Sequence, residues 1–208
     1  MRYTRALLLV LLLSGCDADP IRPEGPQAPT FVPLTSRSAV LNNVEVGWNK
    51  RRADKIDDLL DANFIFFFAA GDVGGSIPSS WDRAEELATT EALFTSNTAP
   101  SPTGPVCRAV RIDLLYDDTL VWDPVVPASA PSETWYTATM FYTFTFEMEP
   151  DNTFIAQNGA KAEFTVRQVG EEWRLVEWRD LGSTIVATSS GAEADQSTTW
   201  GGVKALYR

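Results

Sequence analysis

The chain has 208 residues, two cysteines, no histidine and a formal net charge of -11. Without histidine there is no Ser-His-Asp or Cys-His nucleophile system and no His-ligated zinc site, so acid–base chemistry falls to Asp, Glu, Tyr or Lys. The acidity repels nucleic-acid phosphates and anionic head groups, while a hydrophobic fraction of 44% suits one globular domain with a real core.

The chain opens with two cations, Arg2 and Arg5, followed by an apolar run over 6–13 and the tetrad Leu13-Ser14-Gly15-Cys16. Charged start, short apolar middle and small residues form the layout of a signal peptide. The run is far shorter than the roughly 20 apolar residues that span a bilayer. The tetrad resembles the lipobox of bacterial lipoproteins, which implies cleavage before Cys16 and thioether lipidation of that residue. Pro20, Pro23, Pro26, Pro29 and Pro33 then mark an extended tether. The expected division is a signal peptide over 1–15, lipidated cysteine and tether over 16–35, a folded domain over 36–182 and a C-terminal extension over 183–208. With Cys16 lipidated, Cys107 has no disulfide partner and reads as a buried, inert thiol.

Ser36 or Ser38 is expected to cap a first helix, with Val40, Leu41, Val44 and Trp48 on its apolar stripe and cations over 49–52 at its end. Asp54 is expected to cap a second, carrying Ile56, Leu59 and Leu60. Phe64 to Phe68 reads as a strand covered on both faces. A Gly-rich loop over 71–76 leads to Ser80, the expected cap of a third helix with Trp81, Ala84, Leu87, Ala88 and Phe94 inward. A loop over 97–105 precedes a strand bearing Val110, Ile112, Leu114 and Tyr116. Asp117-Asp118 turns it, and 123–132 is expected to be loop. Thr134 to Met148 alternates strictly, with Tyr136, Ala138, Met140, Tyr142, Phe144, Phe146 and Met148 on one face. A turn over 150–152, a strand bearing Ala160, Ala162, Phe164 and Val166, a turn at Gly170-Glu171 and a strand from Trp173 to Leu181 follow. Thr198 or Thr199 is expected to cap a last short turn carrying Trp200, Val203 and Leu206.

Helices first and strands later point to an α+β class: three N-terminal helices packed in a curved antiparallel sheet. This order resembles the nuclear transport factor 2-like superfamily, the cone-shaped, cystatin-like fold shared with SnoaL-like cyclases and ketosteroid isomerase. Four features carry the likeness: the helix pair ending in Asp57-Asp58-Leu59-Leu60-Asp61, the strand Phe64 to Phe68, the helix opening at Ser80-Trp81, and the closing strand Trp173 to Asp180. The resemblance implies a pocket between the concave sheet and the helices, and commonly a dimer through the sheet. No segment matches the isomerases' catalytic motif, so no catalytic role transfers.

Asp180 and Tyr142, with Tyr136, are chemically suited to acid–base work, but Asp180 reads first as a strand-end carboxylate that caps a turn or pairs with arginine. Trp48, Phe66, Trp81, Tyr142, Phe144 and Trp178 read first as core, and are the candidates for lining an apolar pocket. Asp117, Asp118 and Asp123 lack the pattern of a calcium loop, and Gly71, Gly74 and Gly75 lack the lysine of a phosphate loop. No metal or cofactor is expected. Three readings stand: a lipid-anchored, non-catalytic module of the cell envelope, facing periplasm or exterior, that binds a small apolar ligand or an envelope protein; a small isomerase, dehydratase or cyclase using carboxylate and tyrosine in the cone; and a structural envelope component with an exposed apolar patch around Phe141 and Trp135. Expected partners are the membrane, through lipid on Cys16, and a second copy in a homodimer, but not nucleic acid.

Overall fold

The computed structural model of the protein describes residues 29–75, 77–97, 106–149, 152–182 and 200–207. Cys16 and the signal peptide, most of the loop over 97–105, the turn at 150–151 and the expected caps Thr198 and Thr199 lie outside the described residues.

The elements run α1 (Arg37–Asn49), α2 (Ala53–Leu59), β1 (Leu60–Phe67), β2 (Ser80–Asp82), α3 (Arg83–Thr95), β3 (Cys107–Leu115), β4 (Asp123–Val125), β5 (Trp135–Met148), β6 (Asn152–Val169), β7 (Glu172–Gly182) and α4 (Trp200–Ala205). Ser36 caps α1 as expected, its Oγ accepting from Ala39 N at 3.1 Å. The start of α2 differs. Arg52 is the N-cap, and Asp54 sits in the first turn, paired with Arg52 at 2.6 Å. The start of α3 also differs. Ser80 and Trp81 lie on a short strand paired with β1, and the helix begins after Asp82. There Asp82 Oδ1 accepts from Glu85 N at 2.9 Å and Glu85 Oε2 from Asp82 N at 3.2 Å, a capping box. A cap two residues farther on, using both partners, outcompetes the lone serine.

The sheet is ordered β2-β1-β7-β6-β5-β3, with β4 pairing β5 inside the expected loop. Every junction is antiparallel except β1 with β7, which is parallel. The expectation of a wholly antiparallel sheet is corrected there. The first strand enters beside the last, so their partnership is set by the closing of the chain rather than by a hairpin. β1 begins at Leu60, earlier than expected. Phe64, Phe66 and Phe68 are buried, but Ile65 and Phe67 are half-exposed, so only one face is fully covered. β6 begins at Asn152 and is longer than its alternating half suggested.

Bulges bend this sheet. Opposite Tyr142 and Thr143 of β5 the register of β6 skips Gly159, whose φ of 64° is the left-handed geometry that glycine adopts without a Cβ clash. On β7 the register skips Val176, so Leu175 lies inward before the bulge and Trp178 and Asp180 after it. α1 to α3 cover the concave face. Asn49 fastens α1 to edge strand β3: its side-chain amide donates to Ile112 O at 2.9 Å and accepts from Ile112 N at 2.7 Å. The result is α+β, with a curved, unclosed sheet around the helices.

The described part of the expected C-terminal extension does not lie outside the domain. Trp200 and Val203 are fully buried members of the same core cluster as Trp48, Phe144 and Trp178. The core therefore continues past residue 182, because α4 returns to fill the space between helices and sheet. Among the described residues, no helix is long and apolar enough to cross a membrane.

Candidate functional site: the interior of the cone

Strand alternation and the β7 bulge aim a set of large side chains at one interior volume. Trp48 comes from α1, Phe66 from β1, Trp81 from β2, Tyr142 and Phe144 from β5, and Trp178 from β7; all six are buried. Phe144 stacks on Trp178 at 6.1 Å between centroids and meets Trp48 edge-on at 5.2 Å. Phe66 meets Trp178 at 5.8 Å and Phe68 at 5.0 Å, and Phe68 meets Trp81 at 4.8 Å. The six pocket candidates are thus brought together.

Asp180 lies on the same inward face, 2% exposed. Its Oδ1 accepts from Gly182 N at 2.8 Å, a cap on the strand end, where Gly182 has a φ of 77°. Burial pushes the Asp180 carboxyl up from its ordinary value, while the Gly182 N–H, the Tyr142 hydroxyl and the Lys204 charge oppose that rise. The Tyr142 phenol sits beside the carboxylate. Burial, and then the Asp180 charge, push it well above a normal tyrosine. The other suggested tyrosine is elsewhere. Tyr136 packs on Trp173 at 5.6 Å under the Arg37 guanidinium at 4.3 Å, away from Asp180. By parity it belongs to the inward face of β5, but it is only half-buried, at the far end of that long strand.

Sequence reasoning did not single out the charged pair at the centre of this interior. Lys204 of α4 and Glu86 of α3 are 1% and 2% exposed and form an ion pair. The Lys204 ammonium lies 3.2 Å from the centroid of Phe66, 4.8 Å from Trp200, 5.5 Å from Trp81 and 6.0 Å from Trp178. It therefore sits in an aromatic cage with one carboxylate as counter-ion. Burial lowers its pKa to about 8, against the pull of Glu86 and Asp180. Beside it the Trp200 indole stacks on Phe144 at 4.5 Å and Phe146 at 5.5 Å and meets Trp48 edge-on at 5.2 Å. The indole N–H groups of Trp81, Trp178 and Trp200 are buried without an acceptor. Burying an indole N–H without an acceptor costs about 1–3 kcal/mol. Glu86 gave no clear signal in the sequence: the buried face of α3 is Glu86, Thr89, Thr90, Leu93 and Phe94, while Ala84 and Ala88, expected inward, are exposed and Leu87 is half-buried. Lys204 gave none, because its partner is 118 residues away.

The remaining candidates fall outside this interior. Cys107 is fully buried, its Sγ donating to Ala109 O at 3.3 Å, and burial pushes its thiol up to about 11, so it stays protonated at neutral pH. Asp117 accepts from Thr119 N at 2.8 Å, as a turn residue does. Phe141 is exposed, but Trp135 is buried with its Nε1 donating to Glu133 at 2.8 Å, so the expected patch does not include it. A burial switch at the start of β5, where Trp135 turns in and Tyr136 half out, breaks the alternation there. Among the described residues, no group of three or more carboxylate or cysteine side chains is placed to hold a metal ion.

No protein-family model matches the chain, and no curated protein matches it. Solved structures do resemble it. A protein of unknown function from Mycobacterium tuberculosis superposes with a TM-score of 0.51 at 13% identity, over 82% of this chain and 85% of that one. A protein assigned as the beta subunit of an aromatic-ring-hydroxylating dioxygenase from Novosphingobium aromaticivorans gives 0.49 at 14% identity, over 74% and 90%. A nuclear transport factor 2-like superfamily protein from Salmonella enterica gives 0.46 at 11% identity, over 74% and 92%. The class defined here is the α+β cone, and at these identities the likeness concerns the fold alone.

Proposed function

We propose that the protein is a lipid-anchored, non-catalytic binding module of the bacterial cell envelope, and that the cone interior is its ligand chamber. The observation that carries the chamber is its lining. Six aromatic side chains, among them Trp81 and Trp178 with indole N–H groups that lack an acceptor, and a buried carboxylate beside a phenol surround a volume filled by a short C-terminal segment rather than by the sheet and helices themselves. A core built only for stability has no use for unmet donors and a buried carboxyl of raised pKa. The anchor rests on the Leu13-Ser14-Gly15-Cys16 tetrad behind its apolar run. Several acyl chains, at about 0.8 kcal/mol per buried methylene, hold such a chain to a bilayer.

Native mass spectrometry of the full chain, extracted in detergent from its membrane and released stepwise, tests the chamber. A bound small molecule lost on denaturation supports it, and an empty chain in every preparation counts against it. For the anchor, Cys16→Ser should move the protein from the detergent to the aqueous phase, and unchanged partitioning would sink it. A second reading has one specific observation in its favour. Asp180 and Tyr142 adjoin in an aromatic interior, the arrangement an isomerase or dehydratase would use for proton transfer. Turnover abolished by Asp180→Asn at unchanged ligand affinity would establish that reading over the first.

A further inference from the structure

The chamber contains its own occupant, and the occupant has a definite chemistry. α4 offers an indole ring and an ammonium group held 4.8 Å apart, the ring between Phe144, Phe146 and Trp48 and the ammonium on Glu86 over Phe66. An aryl ring joined to an ammonium by a two-carbon spacer presents the same pair at closely similar separation. The parts that receive the two groups belong to α1, α3, β1, β2, β5 and β7, none of them to α4.

α4 is weakly built for permanent residence. It is six residues long and contains Gly201 and Gly202, and a helix so short and glycine-rich holds its shape only through what it packs against. It is also tightly fitted. A Cβ on Gly201 would come within 2.7 Å of Asp72 Oδ2 and 2.9 Å of Phe68 Cδ1. A buried lysine is a costly filler for an aromatic interior, where a leucine would serve packing better.

We propose that the space filled by α4 is a binding site for an arylalkylammonium ligand, with Glu86 as its counter-ion, Phe66, Trp81 and Trp178 as its cation cage, and Trp200 and Lys204 as an intramolecular stand-in that the ligand displaces. This rests on the reading of the cone as a ligand chamber and names the ligand class. The site selects against anions, because Glu86 and Asp180 both face it. It selects for a ring, because Phe144, Phe146 and Trp48 leave a slot already shaped to an indole. The stand-in competes at the high effective concentration of a tethered group, so affinity in the intact chain is weaker than the site itself permits.

Tryptamine and its uncharged analogue 3-ethylindole are the probes. In the full chain carrying Trp200→Ala with Lys204→Ala, tryptamine should bind at least ten-fold more tightly than in the wild type, read by isothermal titration and by a raised Tm. Adding Glu86→Gln should weaken tryptamine at least ten-fold and leave 3-ethylindole unchanged. Equal affinity for the two probes would overturn the ammonium class and leave the chamber reading standing. Failure of tryptamine to bind the folded double variant would overturn the amine inference, whereas the chamber reading is judged separately by the copurified ligand. Should the double variant not fold, the wild-type chain decides. Saturating tryptamine should speed hydrogen exchange at the amides of Gly202 to Leu206 as α4 leaves, and unaltered exchange overturns the proposal.

Discussion

Among the described residues, two ion pairs draw on a buried carboxylate, and they are built on opposite plans. Arg167 forks onto Asp61, with Nε to Oδ2 at 2.7 Å and Nη2 to Oδ1 at 3.0 Å, and its third nitrogen donates to Glu133 at 3.0 Å. Asp61 also accepts from Asn63 N at 2.9 Å, and Glu133 from Trp135 Nε1 at 2.8 Å. That network ties β1, β6 and the entry to β5 with its bonding capacity met. Lys204 and Glu86 share a single contact among rings, with unmet indole donors around them. Planar bidentate pairing with satisfied neighbours is what a structural joint needs. A point charge in an aromatic cage is what an exchangeable cation needs.

The sharpest break of this comparison is Arg167→Met. It leaves Asp61 buried and unpaired, and urea unfolding should show a loss of about 3 kcal/mol. Gly201→Ala comes next. The added Cβ meets Phe68 and Asp72 and should unseat α4, lowering stability by about 2 kcal/mol, with hydrogen-exchange protection lost over 201–206 while β5 and β6 stay protected. Ser36→Ala removes one cap from α1 and should cost about 1 kcal/mol by the same unfolding measurement.

Lys204→Met leaves Glu86 buried without its counter-ion, so it too should cost about 3 kcal/mol at pH 7, whereas replacing both partners by apolar side chains is the near-neutral change. The lysine also shows in the pH profile. Burial lowers the Lys204 pKa from 10.5 to about 8. Between those values the unfolded chain binds the proton and the folded chain does not, so this group makes stability rise with pH across that window. Wild-type unfolding free energy, compared with that of Lys204→Met, should climb from pH 8 to pH 10.5. A difference that stays flat would mean that the lysine is not buried as described.

Much of the cone was legible because it is written in local period. The alternation of β5 places Ala138 to Met148 inward as the sequence implied, and the stripe of α1 buries Val40, Leu41, Val44 and Trp48. What misled was competition between neighbours. Ser80 is a good cap, but Asp82 with Glu85 is a better one. Tyr136 belongs to the inward face by parity, yet the far end of a long, bent strand puts it under Arg37 instead of beside Asp180. The bulge at Val176 decides that Asp180 points inward, and no residue type announces a bulge there.

By itself, then, the sequence determined the α+β class and the inward placement of the six aromatic side chains of the interior. Each depends on residue type at short spacing. Only the tertiary structure decided that β1 runs parallel to β7, that α4 fills the cone, and that Lys204 rests on Glu86. Those facts join residues far apart in the chain, and their energies come from burial and charge pairing, which have no period for a sequence to display.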